Sequence, residues 1–544
     1  MKTRLTFFVL ILFFLSLEGI RAQSGLFGGS AVPLQPQSPL FGKDIVIHDS
    51  SSQNQRQVVI CSAFNGWLYA AYTYFNTEYN MPAFEILKSV DNGITWTLIV
   101  DEGTNPVYSE ISSLDIAVAG DSISNLKLFV SFVSVNGNPG DIGYGFVGRY
   151  DGDGNFLDRT GELYYVTYIA IATDFMYPAS NSNPFSIGIL YSDRNFSNQD
   201  SLIFLSSSNG GMSYNNRQVL AITSNHFHDV SLAYGRSPSW SSGRYFAAWT
   251  ETNGFTSYTG HIYTAHSNPD FNSPFTKPVC IDSLDSTGIN KFKNPKIACQ
   301  FSSSDNDSSN LTEVIMAEKQ LSLNNYDTRG FYNLHATTSS HFNEFSLTSS
   351  SNNKTQPDIN FNPYASAFMV TYYDSTLQSL PFLTNDVNLT NPGTWNIISP
   401  AYNDSPNLAA PYPKVALDMG QQQGADVWIK EGTGGNGVAM FDAQYSTYAG
   451  VSDNNSGTFA RLIGAYPNPC SSYIKIAFEL QKPEKVTIIL MNILDQPLGT
   501  VTDQYYSEGK HVVNYDVSNF PEGTYIYNFR SANLTTAGKF TMIR

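Results

Sequence analysis

His226 and His228 flank a single phenylalanine. Side chains alternate along a strand, so the two imidazoles share one face and offer two nitrogen ligands to a metal. No third ligand stands at a telling spacing, and the alternative is a polar strand face. Asp151-Gly152-Asp153-Gly154-Asn155 opens like a calcium loop. Phe156 stands where such a loop needs glycine, which favours a plain hairpin turn. Gly432-Thr433-Gly434-Gly435-Asn436-Gly437 lacks strand–helix–strand surroundings, so it is not read as a dinucleotide loop. No GxSxG elbow, HExxH pair or Walker pattern occurs. The four cysteines, Cys61, Cys280, Cys299 and Cys470, match no zinc spacing. Cys280 and Cys299 are the closest pair and would suit a disulfide across one loop; free thiols are the other reading. No metal and no cofactor is expected from these residues.

The composition narrows the partners. The chain of 544 residues is 42% hydrophobic, enough for a sizeable core, yet only 14% charged. Its formal net charge of −16 excludes nucleic acid as a partner, since phosphates demand a basic surface, and argues against anionic lipid. Aromatic residues make up 14% and there are 40 glycines, a composition that suits many short strands with tight turns.

At the start of the chain, Lys2 and Arg4 precede the apolar run Phe7 to Leu17. Eleven residues are too few to span a bilayer, and the pattern predicts a Sec signal peptide over residues 1–22, cleaved near Ala22. No later segment is long and apolar enough for a transmembrane helix. Residues 23–44 are then an N-terminal extension.

The elements that must position any site are strands. Apolar, β-branched and aromatic segments recur about every fifty residues: 66–75, 126–135, 185–193, 243–251, 311–319, 366–374 and 424–432. Each is bounded by turn residues and reads as a central strand. Repeated units that cannot bury their faces alone imply radial closure. The expectation is an all-β chain: a β-propeller over residues 45–448, with about seven blades and six or eight as alternatives. A large sandwich is the competing architecture.

Residues 89–96 read Ser-Val-Asp-Asn-Gly-Ile-Thr-Trp, and a degenerate copy occupies 207–214. Both follow an apolar strand. Ser89, Asp91, Gly93 and Trp96, and in the second copy Ser207, Asn209, Gly211 and Tyr214, resemble the Asp box (BNR repeat) of sialidase-like propellers. The acidic or amide side chain would close the turn by accepting backbone N–H bonds, and the glycines would take positive φ. The resemblance implies a structural role on the rim, away from the ligand.

The texture changes after 449–460, which has linker composition. Residues 461–544 hold short alternating strands that suit a small Ig-like sandwich. Tyr466-Pro467-Asn468-Pro469, then Gly523 and Tyr525, then Lys539 and the terminal Arg544, stand in the order of the type A sorting domain of the type IX secretion system of Bacteroidetes, and this segment resembles that domain. The resemblance implies the type IX machinery as partner, and a secreted or outer-membrane-surface location.

Sialidases grip a carboxylate with three arginines. The Phe/Tyr-Arg-Ile-Pro motif that supplies one of them is absent here. Arg194, Arg244 and Arg329 lie near strand ends and would have to converge to replace it. The sequence therefore favours a non-catalytic module for a glycan or protein ligand, with no assignable catalytic residue. The alternative is a divergent sialidase-like glycoside hydrolase built on carboxylates.

Overall fold

The computed structural model describes residues 41–444 and 460–543 except for short stretches within them, the longest being 175–184, 283–290, 301–310 and 387–394. The expected signal peptide and nearly all of the expected linker lie outside the described residues, as do Pro469 and Arg544.

Seven four-stranded antiparallel units follow one another along the chain. Their second strands are Leu68–Asn76, Lys127–Val135, Ile187–Arg194, Arg244–Thr252, Glu313–Ser322, Ala367–Asp374 and Gln423–Glu431, one on each of the seven apolar segments. These strands are apolar on both faces because each blade packs between two neighbours. Tyr69, Phe129, Leu190, Trp249, Ile315, Phe368 and Trp428 are all essentially inaccessible. Each such side chain contributes about 1.5–3 kcal/mol of burial.

The innermost strands are Arg56–Ser62, Glu110–Ala119, Leu163–Thr173, His226–Gly235, Phe292–Cys299, Lys354–Asn362 and Lys414–Asp418, in blades 1 to 7. The first residues of the blade 3 strand reach across to blade 2, Leu163 opposite Gly145, so these two blades share one sheet. Blade 7 takes its fourth strand, Ile45–Val46, from the start of the chain, with Ile45 opposite Phe441. The architecture is a seven-bladed β-propeller.

The C-terminal segment forms two facing sheets. Ala460–Tyr466, Tyr473–Leu480 and Gly509–Asp516 make one; Pro497–Tyr506, Glu484–Asn492, Gly523–Arg530 and Thr535–Met542 make the other. Ile474, Ile476 and Phe478 alternate inward on one side and Val486, Ile488 and Leu490 on the other, all fully buried.

The disulfide expectation is corrected. All four cysteines are free thiols. Cys280 ends the outermost strand of blade 4, Val279–Cys280, whereas Cys299 ends the innermost strand of blade 5 and faces the axis. One therefore sits at the rim and the other at the centre.

Candidate functional site

The seven innermost strands surround an axial cavity of about 760 Å³. Each of these strands starts at the same end of the propeller, here termed the upper end, where the turns between second and third strands also lie. An innermost strand is a sheet edge, and its N–H groups need partners. The structure supplies them from the preceding blade. Asp115 of blade 2 accepts from Ile171 N of blade 3 at 3.0 Å. Asp229 of blade 4 accepts from Asn294 N of blade 5 at 3.0 Å, and Ser231 Oγ from Ile297 N at 3.2 Å. Gln356 of blade 6 accepts from Tyr412 N of blade 7 at 2.9 Å, and Asp358 from Val415 N at 2.9 Å.

These acceptors are aimed by a repeated backbone feature. Gln57, Ser113, Tyr165, Asp229, Asn294, Gln356 and Tyr412 stand at the upper end of the seven innermost strands, and all have positive φ, from 40° to 62°. In blades 1, 2, 4, 5 and 6 the pairing with the second strand shifts register at this point, and in blade 3 the pairing with blade 2 shifts around Tyr165, as a β-bulge requires.

Charge gathers at this ring and just below it. Asp115, Asp229, Lys296, Asp358 and Lys414 all line the cavity, and Lys414 pairs with Asp358 at 3.1 Å. Burial, and then repulsion from Lys414, lower the ammonium of Lys296 to about 8, against the pull of Asp358, Asp229 and Asp115. Burial raises the carboxyl of Asp115 despite its backbone hydrogen bonds. Glu110, at the upper rim, is also raised by burial, and Arg56 at 3.7 Å opposes that.

Tyrosines gather at the upper end of blades 2 and 3, and Tyr412 lines the cavity from blade 7. Tyr108 and Tyr144 have ring centroids 5.5 Å apart, and Tyr164 meets Tyr144 edge-on at 5.1 Å. Tyr164, Tyr165 and Tyr412 are 52%, 42% and 48% exposed. Phenol rings held this way give stacking area beside a hydrogen-bonding tip.

The residues expected from sequence are scattered. His226 bonds toward Asp200 (3.2 Å) and Arg194 (2.9 Å), while His228 reaches the hydroxyl of Tyr168 at 3.0 Å. The two imidazoles thus take different hydrogen-bond partners. Asp151 closes a hairpin by accepting from the backbone N–H groups of Asp153 and Asn155, both at 2.9 Å. The three arginines do not converge: Arg194 is buried in an ion pair with Asp200, Arg244 begins the second strand of blade 4 at the lower end, and Arg329 pairs with Asp327 in the third strand of blade 5.

Ser89–Trp96 and Ser207–Tyr214 form turns between third and fourth strands, at the lower end. Ser89 Oγ donates to Asp91 and accepts from Gly93 N, both at 2.8 Å, and Thr95 N donates to Asp91 at 2.8 Å. The second turn repeats the scheme with Ser207, Asn209, Gly211 and Ser213. Asn92–Gly93 and Gly210–Gly211 are both left-handed pairs. Trp96 packs edge-on against Phe441, and Tyr214 lies against the cluster that holds Phe129. In the C-terminal unit, Tyr466 is buried and precedes a cis bond to Pro467. Asn468 accepts from Thr541 N at 2.8 Å, Tyr525 donates to Pro521 O at 2.7 Å, Gly523 has φ of 151°, and Lys539 is exposed.

The axial carboxylates, lysines and the tyrosine group escaped sequence reasoning. The carboxylates and lysines share one signal, position on an innermost strand that precedes an apolar second strand.

No curated protein matches the chain. Among solved structures, an α-L-arabinanase of Penicillium chrysogenum complexed with arabinobiose aligns at 12% identity over 74% of this chain and 98% of its own, with a TM-score of 0.40. A protein of unknown function from Dyadobacter fermentans aligns at 12% identity over 74% and 99%, also at 0.40. A GH93 α-L-arabinofuranosidase of Fusarium graminearum aligns at 10% identity over 61% and 92%, at 0.39. No helix among the described residues is long and apolar enough to cross a membrane. Residues 464–543 match the family model of the secretion system C-terminal sorting domain, so the chain carries a sorting tail for the type IX route and is a secreted or cell-surface protein.

Proposed function

We propose that the propeller is a non-catalytic module that binds a glycan across its upper mouth, after export through the type IX machinery. The observation that carries this reading is a set of exposed tyrosines at the upper end: Tyr412, which lines the cavity, and Tyr164 and Tyr165 at the start of the blade 3 innermost strand. Sugars present C–H faces to aromatic rings and hydroxyls to amides and carboxylates, and this mouth offers both. The axial carboxylates support the absence of catalysis, because Asp115, Asp229 and Asp358 are committed as acceptors to neighbouring strands. The test is calorimetric titration of the purified protein with a panel of neutral oligosaccharides. Binding that weakens at least about tenfold in Tyr164→Ala and Tyr412→Ala, without loss of thermal stability, is the expected result.

A second reading rests on a different observation. Glu110 and Asp115 are both raised by burial, which is the direction in which a glycoside hydrolase tunes its acid. Release of reducing ends from any oligosaccharide of the panel, abolished in Glu110→Gln or Asp115→Asn, would replace the binding function with that one.

A further inference from the structure

At the edge of blade 4, His261 begins the third strand, His261–His266, and Cys280 ends the fourth. Tyr263 stands opposite Cys280, so one step further out Asp282 comes opposite His261. Residues two apart share a face of a strand, and facing residues on paired strands are neighbours. The spacings His-x-Tyr and Cys-x-Asp therefore place imidazole, thiol and carboxylate on one patch. His261 Nδ1 lies 3.2 Å from Asp282 Oδ2, and Cys280 Sγ lies 3.2 Å from Asp282 Oδ1. All three donor atoms fall within 4.8 Å of one another.

We propose that His261, Cys280 and Asp282 bind a Zn²⁺ ion. Zinc bonds of about 2.0–2.3 Å in a tetrahedron separate neighbouring ligand atoms by roughly 3.3–3.6 Å, close to the two 3.2 Å contacts with Asp282 and within the 4.8 Å span of the three atoms. The mixed nitrogen, sulfur and oxygen set suits a borderline ion, not calcium or magnesium, which take oxygen alone. The side chain of Asp282 is only 1% exposed, and among the described residues its one ion pair is with His261. A buried carboxylate with so little positive charge around it is costly, and a divalent ion removes that cost. Zinc binds the thiolate, so it would displace the thiol proton of Cys280 on binding. The side chain of His261 is 52% exposed, so the fourth position opens to water. Tyr263 stands directly opposite Cys280 on the paired strand.

The experiment uses the full chain, reduced and stripped with chelator, then titrated with Zn²⁺ against a chromogenic competitor and separately with Co²⁺. The expected result is one equivalent of Zn²⁺ bound, and a Co²⁺ spectrum with a thiolate charge-transfer band and the strong visible bands of four-coordination. Cys280→Ser and Asp282→Asn each weaken binding at least about tenfold, while exposed His341→Ala does not. Should the variants fail to fold, the Co²⁺ spectrum of the unaltered protein decides alone. A spectrum without the thiolate band, absence of stoichiometric binding, or equal affinity in Cys280→Ser overturns the site.

Discussion

A Cβ on Gly93 would stand 2.0 Å from the ring of Phe441, which belongs to the neighbouring blade 7. The turn at Ser89–Trp96 is thus both a hairpin and an inter-blade socket. Gly211 repeats the relationship against Phe129 of blade 2, at 2.6 Å. Gly93→Val combines this overlap with a φ of 82° and should destabilise by more than about 2 kcal/mol. Asp91→Ala removes only the turn acceptor and should cost about 1–2 kcal/mol. Denaturant melts give both values, and glycan binding by the folded fraction should be unchanged. A fully stable Asp91→Ala protein that has lost binding would refute a purely structural role.

Glu313 gives a pH signature. It starts the second strand of blade 5, is 2% exposed, and accepts a hydrogen bond from Thr264 Oγ1 at 2.8 Å. Burial raises it to about 8 from an ordinary 4.5. The folded state therefore holds a proton that the unfolded chain has released between those values. Stability from this residue is fully present below about 4.5 and is lost as pH rises toward 8, on the order of a few kcal/mol. Thermal melts from pH 5 to 8 should show a decline that Glu313→Gln flattens. Parallel pH profiles for the two proteins would show that Glu313 is not the source.

Sialoside hydrolysis is expected to be absent. The anionic sugar would need several convergent arginines, but Arg194 is committed to Asp200 at 2.8 Å, while Arg244 and Arg329 lie elsewhere. A fluorogenic sialoside assay checks this directly. Turnover well above background that disappears in Arg194→Ala would reveal an arginine site at the mouth of blade 3.

Removal of residues 461–544 should retain the propeller in the periplasm. Cell fractionation with an antibody to the propeller reads the outcome. Normal extracellular levels of the truncated chain would mean that export does not depend on the segment that matches the sorting domain.

The blade count was readable because a strand buried on both faces must be apolar throughout, as in Leu68–Tyr72 or Phe368–Thr371. The inward alternation of Ile474, Ile476 and Phe478 was readable for the same kind of reason. The bulges at the mouth were not. Gln57, Ser113, Tyr165, Asp229, Asn294, Gln356 and Tyr412 share a backbone conformation but no residue type, so the local sequence carries no mark of it. The His261–Cys280–Asp282 patch was hidden differently. Its second strand is only two residues long, and no periodic pattern announces it. Cys280 therefore invited pairing with Cys299, its neighbour in sequence, instead of with His261 across the hairpin.

The closing of blade 7 by Ile45–Val46 also bears on how the chain acquires its structure. Synthesis delivers Ile45 early and Phe441 nearly four hundred residues later, and the ring cannot shut until both are present. Contacts this distant in sequence form late and raise contact order, which slows the final step. Until then the edges of blades 1 and 7 stand open to other chains. Substitutions in Ile45 or Val46 should therefore slow refolding and promote aggregation out of proportion to the small area these two residues bury.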